Sequence, residues 1–326
     1  MNLPMRSLYK IFHPEIFQGS LKKMNYFEGW YFKHVSAGAG DAFAVIPGIS
    51  LSEDIHAFIQ YNDGKTGKSS YFRYDISEFT FDRKKLMIRI GNSHFTGEGI
   101  SLDLSNESFT IRGKIAYSGI LKPPSNIFMP GIMGWYSYVP WMECNHGVIS
   151  VTHDLTGSVT VNGDLRQLSG GKGYIEKDWG ISFPESWLWM QCNNFPSQSA
   201  SVMISIAKIP WRGSFFIGFV AFFSLNCITT IMATYNGAKV VSLKRIDSNK
   251  TELVIRKGDM LLKAVITKKG EGVLKAPSSG IMNNTIKESI DSEVWIEVAK
   301  SGKIIFSENG VRAGYEETDK IFTYFI

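Results

Sequence analysis

The stretch Gly171-Lys-Gly-Tyr174-Ile-Glu176-Lys177-Asp178-Trp-Gly180, followed by Phe183-Pro-Glu-Ser-Trp187-Leu-Trp189-Met-Gln191-Cys-Asn193, decides how this chain is read. Successive side chains of a β-strand point to opposite faces. If Tyr174 to Asp178 is extended, Tyr174, Glu176 and Asp178 share one face, and Ile175 and Lys177 share the other. The same rule puts Trp187, Trp189, Gln191 and Asn193 together and leaves Leu188, Met190 and Cys192 behind them. One front carries two carboxyls and a phenol, the other two indoles and two amides. That is the pattern of a lined pocket rather than of plain core.

Outward from this stretch, period-two alternation recurs along the chain. Leu86-x-Ile88-x-Ile90, Ile100-x-Leu102-x-Leu104, Val159-x-Val161, Met260-x-Leu262-x-Ala264-x-Ile266 and Val294-x-Ile296-x-Val298 all alternate between turns rich in Asn, Gly, Asp and Ser. No long stretch shows a 3.6-residue apolar period with capping residues. Many short strands at roughly ten-residue spacing predict an all-β barrel or sandwich. A weak internal echo links Glu28-Gly-Trp30-Tyr-Phe32 to Glu185-Ser-Trp187-Leu-Trp189, each followed by an apolar strand, Phe43 to Ile46 and Val202 to Ile206. Two barrels in tandem would give this echo. The boundary is placed in the turn Gly180 to Pro184, giving an N-terminal barrel over 1–180 and a C-terminal one over 181–326, with both motifs expected near the junction.

Composition agrees with an ordinary globular protein. The 326 residues exceed what one core usually supports, and 44% are hydrophobic and 20% charged. The formal net charge of +5 is spread thinly, its longest run being Arg83-Lys84-Lys85, so nucleic-acid binding has little support. A weak attraction to anionic lipid surfaces is compatible with it. Cys144, Cys192 and Cys227 are odd in number and far apart, which argues against a disulfide framework. The segment Met1 to Ser20 lacks an unbroken apolar core, and a cytoplasmic location, peripheral to the membrane at most, is expected. Residues 213–238 contain no charged side chain but are rich in β-branched and aromatic residues and hold Ser224, Asn226, Thr229 and Thr230. They read as two apolar strands joined near Leu225-Asn226, fit to touch a lipid, rather than as a membrane helix.

Phosphate-binding loops, dinucleotide fingerprints, nucleophile elbows and zincin helices are absent. The histidines at 13, 34, 56, 94, 146 and 153 show no metal-ligand spacing, so a metal site is not expected. What remains is a carboxylic acid among aromatic side chains. Desolvation and a neighbouring carboxyl raise the pKa of such an acid, keeping it protonated near neutral pH. It can then protonate an electron-rich alkene, and indole faces stabilise the cation that develops. The alternative is that Glu176, Lys177 and Asp178 form ion pairs closing a barrel end, that Trp187 and Trp189 are core, that His146 is structural and that Glu28 pairs with an arginine.

At these residues the sequence resembles the tocopherol cyclase family. The matching pieces are Tyr26-Phe-Glu-Gly-Trp-Tyr-Phe-Lys33, Gly134-Trp135 with Pro140, Tyr174-Ile-Glu-Lys-Asp-Trp-Gly180, Phe183-Pro-x-x-Trp187-x-Trp189-x-Gln191-Cys-Asn193 and Leu274-Lys-Ala-Pro-Ser-Ser279, in family order. The Gly-x-Gly-Tyr-x-acid-x-x-Trp-Gly pattern is also similar to carotenoid hydratases and related pericyclic enzymes. The resemblance implies two tandem lipocalin-like antiparallel β-barrels with few short helices, holding an isoprenoid such as a prenylated hydroquinone. It implies a cofactor-free cyclase: an acid protonates the prenyl double bond, and the phenolic oxygen closes a chroman ring. Glu176 takes the place of the acid, assisted by Tyr174 and His146. Trp30, Glu28, Asp178, Trp187, Trp189, Gln191 and Asn193 then surround the substrate. Asp178 is a departure, since the plant cyclases resemble Glu-Lys-Asn-Trp there. The other readings of the same fold are a non-catalytic isoprenoid carrier, an alkene hydratase and a pericyclase.

Overall fold

A computed structural model describes residues 8–197 and 199–325. Among them the protein is nearly all β: one five-residue α-helix, Leu8–Phe12, and a few 3-10 turns accompany two antiparallel sheets of twelve and ten strands. The chain separates into two compact units. Residues up to Phe183 together with Val273–Ile286 form one, and Pro184–Gly272 with Lys287 onward form the other.

Both sheets are wound by the same rule. In the first, Tyr26–Val35 pairs on one side with its successor Ala42–Leu51 and on the other with the last strand, Lys172–Gly180. The chain runs outward through His56–Asp63 to Ser69–Tyr74, restarts at the opposite edge with Phe79–Phe81, and returns strand by strand to Cys144–Val161 and Lys172–Gly180. In the second, Trp187–Cys192 lies between Ala200–Trp211 and the last strand, Lys303–Glu317. The chain again runs outward, to Ile228–Ala233, and returns from Lys239–Asp247. Such winding curls each sheet into a lipocalin-type barrel around one enclosed face. The expected pair of apolar strands over residues 213–238 is Ser214–Leu225 and Ile228–Ala233, joined by Asn226 and Cys227 with φ of 50° and 66°. Among the described residues no helix is long and apolar enough to cross a membrane.

The topology repeats, but the sequence echo does not follow it. Trp30 joins the enclosed core of the first sheet, with Phe32, Phe43, Val45 and Ile175. In the second sheet the core takes Leu188, Met190 and Cys192, so Trp187 and Trp189 stand on the other face. A one-residue offset moves every side chain of a strand across the sheet, so the matched tryptophans are not structural equivalents.

At one end of the first barrel the core holds an ion pair with no solvent exposure. Lys177 Nζ lies 2.5 Å from Glu28 Oε1. The other donors to Glu28 are Gln18 N at 2.7 Å, Gly19 N at 2.9 Å and the Tyr26 hydroxyl at 2.5 Å. Lys177 also donates to the carbonyls of Pro14 and Ile16 and lies 4.4 Å from the Trp30 ring centre, while Trp30 Nε1 donates to Glu15 O at 2.8 Å. The pair therefore sews residues 14–19 across the barrel end.

Elsewhere in the same unit, three aromatic rings carry buried polar atoms. His34 Nε2 lies 2.7 Å from the Tyr117 hydroxyl, and the His153 ring packs 4.3 Å from Tyr117 with Nδ1 2.9 Å from Ser150 Oγ. Gly173, paired with both histidines, makes room: a Cβ there would stand 2.1 Å from His153 Nε2. Gly173 therefore lies within the strand Lys172–Gly180. Burial holds His34 well below the usual imidazole range, helped by His153, and lowers His153 to about 3.

Removing one partner of the core pair, Glu28→Gln or Lys177→Met, strands a buried charge and should cost about 3–5 kcal/mol. The Glu28→Leu, Lys177→Met double variant should recover part of that loss, read by denaturant midpoints. His34 and His153 stay neutral when folded but protonate in the unfolded chain. Stability should thus be full above pH ~6.5 and fall as pH drops below it, for His153 as far as about 3, by up to ~1.4 kcal/mol per pH unit for each histidine. Unfolding of wild type and His153→Gln across that range checks the slope, which should be shallower in the variant.

Candidate active site

The strand Lys172–Gly180 sorts its residues by alternation into two chemically different faces. Ile175 and Lys177 enter the core, and Tyr174, Glu176 and Asp178 stand on the opposite face. Cross-strand pairing then sets their neighbours. Glu176 lies opposite Tyr31 and Val148, and Asp178 opposite Gly29 and His146. Tyr174 and Glu176 are buried, as are Tyr31 and Val148 beside them. Asp178 keeps 27% of its side-chain surface, and so connects the cluster to solvent.

Four side chains form two hydrogen-bonded pairs that meet at His146 and Glu176. The Tyr174 hydroxyl donates to Glu176 Oε2 at 2.6 Å. His146 Nδ1 lies 2.9 Å from Asp178 Oδ1, and its Nε2 lies 3.6 Å from Glu176 Oε2. The backbone N–H of His146 donates to Met133 Sδ at 3.1 Å, tying the strand to the long connection before it. Burial disfavours the imidazolium, but the charges of Asp178 and Glu176 and the hydrogen bond to Asp178 outweigh it, raising His146 to about 9. Burial and the neighbouring Glu176 hold the Tyr174 phenol well above its ordinary range. At neutral pH the unit therefore carries a proton on a histidine bracketed by two carboxyl groups. One donor atom from each of His146, Glu176 and Asp178 lies within 4.8 Å of the others, close enough for a metal ion, which would have to displace that proton.

The expected site residues separate into three places. Tyr174, Glu176, Asp178 and His146 come together. Glu28 and Trp30 lie on the opposite face of the same sheet, because Trp30 pairs with Lys177 and shares its face. Trp187, Trp189 and Gln191 share a face in the second unit, where Trp187 Nε1 donates to Glu316 Oε2 at 2.9 Å, and Asn193 is buried just beyond the strand. Sequence reading gave Asp178 a minor place, yet it is the residue that hydrogen-bonds His146. Met133 and Tyr31 were not anticipated. Tyr31 was within reach of the alternation rule, since it follows Trp30, whereas Met133 lies in a loop with no period to read.

An all-β, lipocalin-type protein with a histidine–carboxyl proton site on a buried sheet face is the class these features define. The family model described as tocopherol cyclase-like matches residues 123–317, more than half of the chain, and the chain belongs to that family. A 74-residue segment is 32% identical to the chloroplastic tocopherol cyclase of Zea mays, covering 23% of this chain and 16% of the maize protein. Two solved structures share the fold over 90% of this chain: kievitone hydratase from Nectria haematococca, with a TM-score of 0.53, 13% identity and 89% of its chain covered, and CghA, with 0.55, 11% and 88%.

His146 should titrate near pH 9 in NMR-detected imidazole shifts, and Asp178→Asn should bring it down toward ~6.5. Since its folded pKa is raised, the stability it contributes is full below pH ~6.5 and is lost as pH rises through about 9, opposite in sign to His34 and His153. A wild-type His146 titrating at an ordinary value would refute this electrostatic account.

Proposed function

We propose that the protein is a cofactor-independent enzyme that protonates a carbon–carbon double bond of a small hydrophobic isoprenoid and closes a ring on it, as a tocopherol cyclase-like isomerase. The observation that carries the reading is the approach of His146 to both Glu176 and Asp178 on a buried face, in a chain of the tocopherol cyclase-like family. Glu176 is the general acid. Its Oε2 accepts from Tyr174, which fixes the carboxyl group that delivers the proton. His146 lies close enough to return a proton to Glu176, and Asp178 orients His146 through Nδ1.

The atoms balance without any other reactant. The alkene takes the proton at its less substituted carbon, leaving a tertiary cation. The phenolic oxygen of a prenylated hydroquinone attacks that carbon, forming the C–O bond, and its proton returns to the acid. The product is an isomer of the substrate. Water attacking the same cation would give a hydrate instead, so the product's mass separates a cyclase from a hydratase.

The test is incubation of the purified protein with a prenylated hydroquinone, with products resolved by mass spectrometry. An isomer of unchanged mass is expected, insensitive to chelators. Glu176→Gln should slow its formation by roughly 10²- to 10⁴-fold, the usual contribution of general acid catalysis. The rate should fall as pH rises through about 9, where His146 loses its proton, and Asp178→Asn should move that limb to lower pH. Full turnover by Glu176→Gln, or an unchanged lipid bound equally by both proteins, would defeat the proposal and favour a carrier.

A further inference from the structure

The fold gathers cations that the sequence scatters. In the first unit the helix Leu8–Phe12, the segment of residues 20–24 and the turn of residues 82–85 meet. The Tyr9 hydroxyl donates to the carbonyl of Lys84 at 2.8 Å, and Lys10, Leu21, Lys22 and Arg83 line one cleft with Phe17 and Phe81. Lys23 lies alongside, 4.2 Å from the Tyr26 ring centre. Lys22, Lys23, Arg83, Lys84 and Lys85 are all exposed. Elsewhere, lysines such as Lys172, Lys263 and Lys269 face carboxylates. Among the described residues, Lys22, Arg83, Lys84 and Lys85 form no ion pair. The one acid of the turn, Asp82, is taken up by the backbone N–H groups of Lys84 and Lys85 at 2.7 and 3.2 Å.

Large exposed apolar side chains lie in the same helix and in the same segment of residues 20–24. Leu8 is 68% exposed and Met24 62%, and Tyr9, Phe12 and Leu21 are exposed as well. Cations alone would suit any polyanion. Leucine and methionine side chains add nothing on a phosphate backbone in water, but among acyl chains they are buried, while lysine and arginine stems reach up to the headgroups. We propose that this face docks the protein on an anionic lipid bilayer, with Leu8, Leu21 and Met24 entering the interface and Lys22, Lys23, Arg83, Lys84 and Lys85 meeting lipid phosphates. The docking is separate from the proposed reaction and stands or falls without it.

The experiment is flotation of the full chain with phosphatidylcholine vesicles, with and without phosphatidylserine. Binding should require phosphatidylserine and weaken with added salt. Each basic residue near an anionic surface contributes about fivefold, so a triple variant, Arg83→Ser with Lys84→Ser and Lys85→Ser, should bind on the order of a hundredfold more weakly. Leu8→Ser with Met24→Ser should weaken binding while the salt dependence remains. Circular dichroism and thermal unfolding confirm that these surface variants fold. Equal binding to both vesicles, binding to neither, or triple-variant binding like wild type overturns the proposal. So does tight binding to duplex DNA with none to vesicles. Loss of vesicle binding on Phe128→Ser with Trp141→Ser, but not on the basic substitutions, would assign docking to the exposed aromatic loop before Cys144 instead.

Discussion

The contact between Lys177 and Glu28 is the constraint on which the first barrel rests. Neither side chain touches solvent, and a charge so placed is tolerated only if its partner and its remaining hydrogen bonds are all supplied. They come from separate parts of the chain: carbonyls of Pro14 and Ile16, amides of Gln18 and Gly19, and the hydroxyl of Tyr26. The pair thus joins the first strand of the sheet, the last strand and the segment before them. A mispaired register of Tyr26–Val35 against Lys172–Gly180 would strand both charges, so the ion pair specifies register as well as closing the barrel end.

That register also builds the acidic cluster. With Lys177 fixed toward the core, alternation sends Glu176 and Asp178 to the other face, and the neighbouring strand supplies His146 directly opposite Asp178. The three consecutive residues Glu176, Lys177 and Asp178 look in sequence like one charged run. In the fold they serve opposite sides of a sheet, one cation neutralised in the core and two acids facing one histidine. Burial alone would push His146 toward neutrality; the two carboxyl groups reverse the sign. The result is a proton kept close to a water-poor surface, the condition that protonating an alkene demands.

Much of this was legible beforehand. Period-two patterns gave the all-β class, the faces of Lys172–Gly180 and Trp187–Cys192, and the paired apolar strands around Asn226, because alternation is local and each strand carries its own. What alternation cannot give is which strands become neighbours. Glu28 and Lys177 are separated by most of a barrel in sequence, so Glu28 read as a pocket residue or as the partner of an arginine, and the lysine that it meets could not be named. His146 and Asp178 meet for the same non-local reason, though family resemblance had already drawn attention to His146. The gathered cations of residues 10–23 and 83–85 were likewise hidden, since charge density in sequence and on a folded surface are different quantities.

The two sheets show where sequence similarity and structural equivalence part. Their winding is the same, first strand beside last, with a meander on either side. Yet Trp30 and Trp187, aligned by the motifs around them, end on opposite kinds of face. In the first sheet the tryptophan is needed inside, packed against the Lys177 cation. In the second, Leu188 and Met190 fill the core and leave the indoles on the outer face. Since one residue of offset exchanges the faces of a strand, a duplicated topology can keep its hydrogen-bonded frame while its two copies divide the work of core and surface differently. An acid–aromatic motif in such a chain therefore has to be assigned to a site by strand register, and in the first barrel that register puts the acids with His146 and not with Trp30.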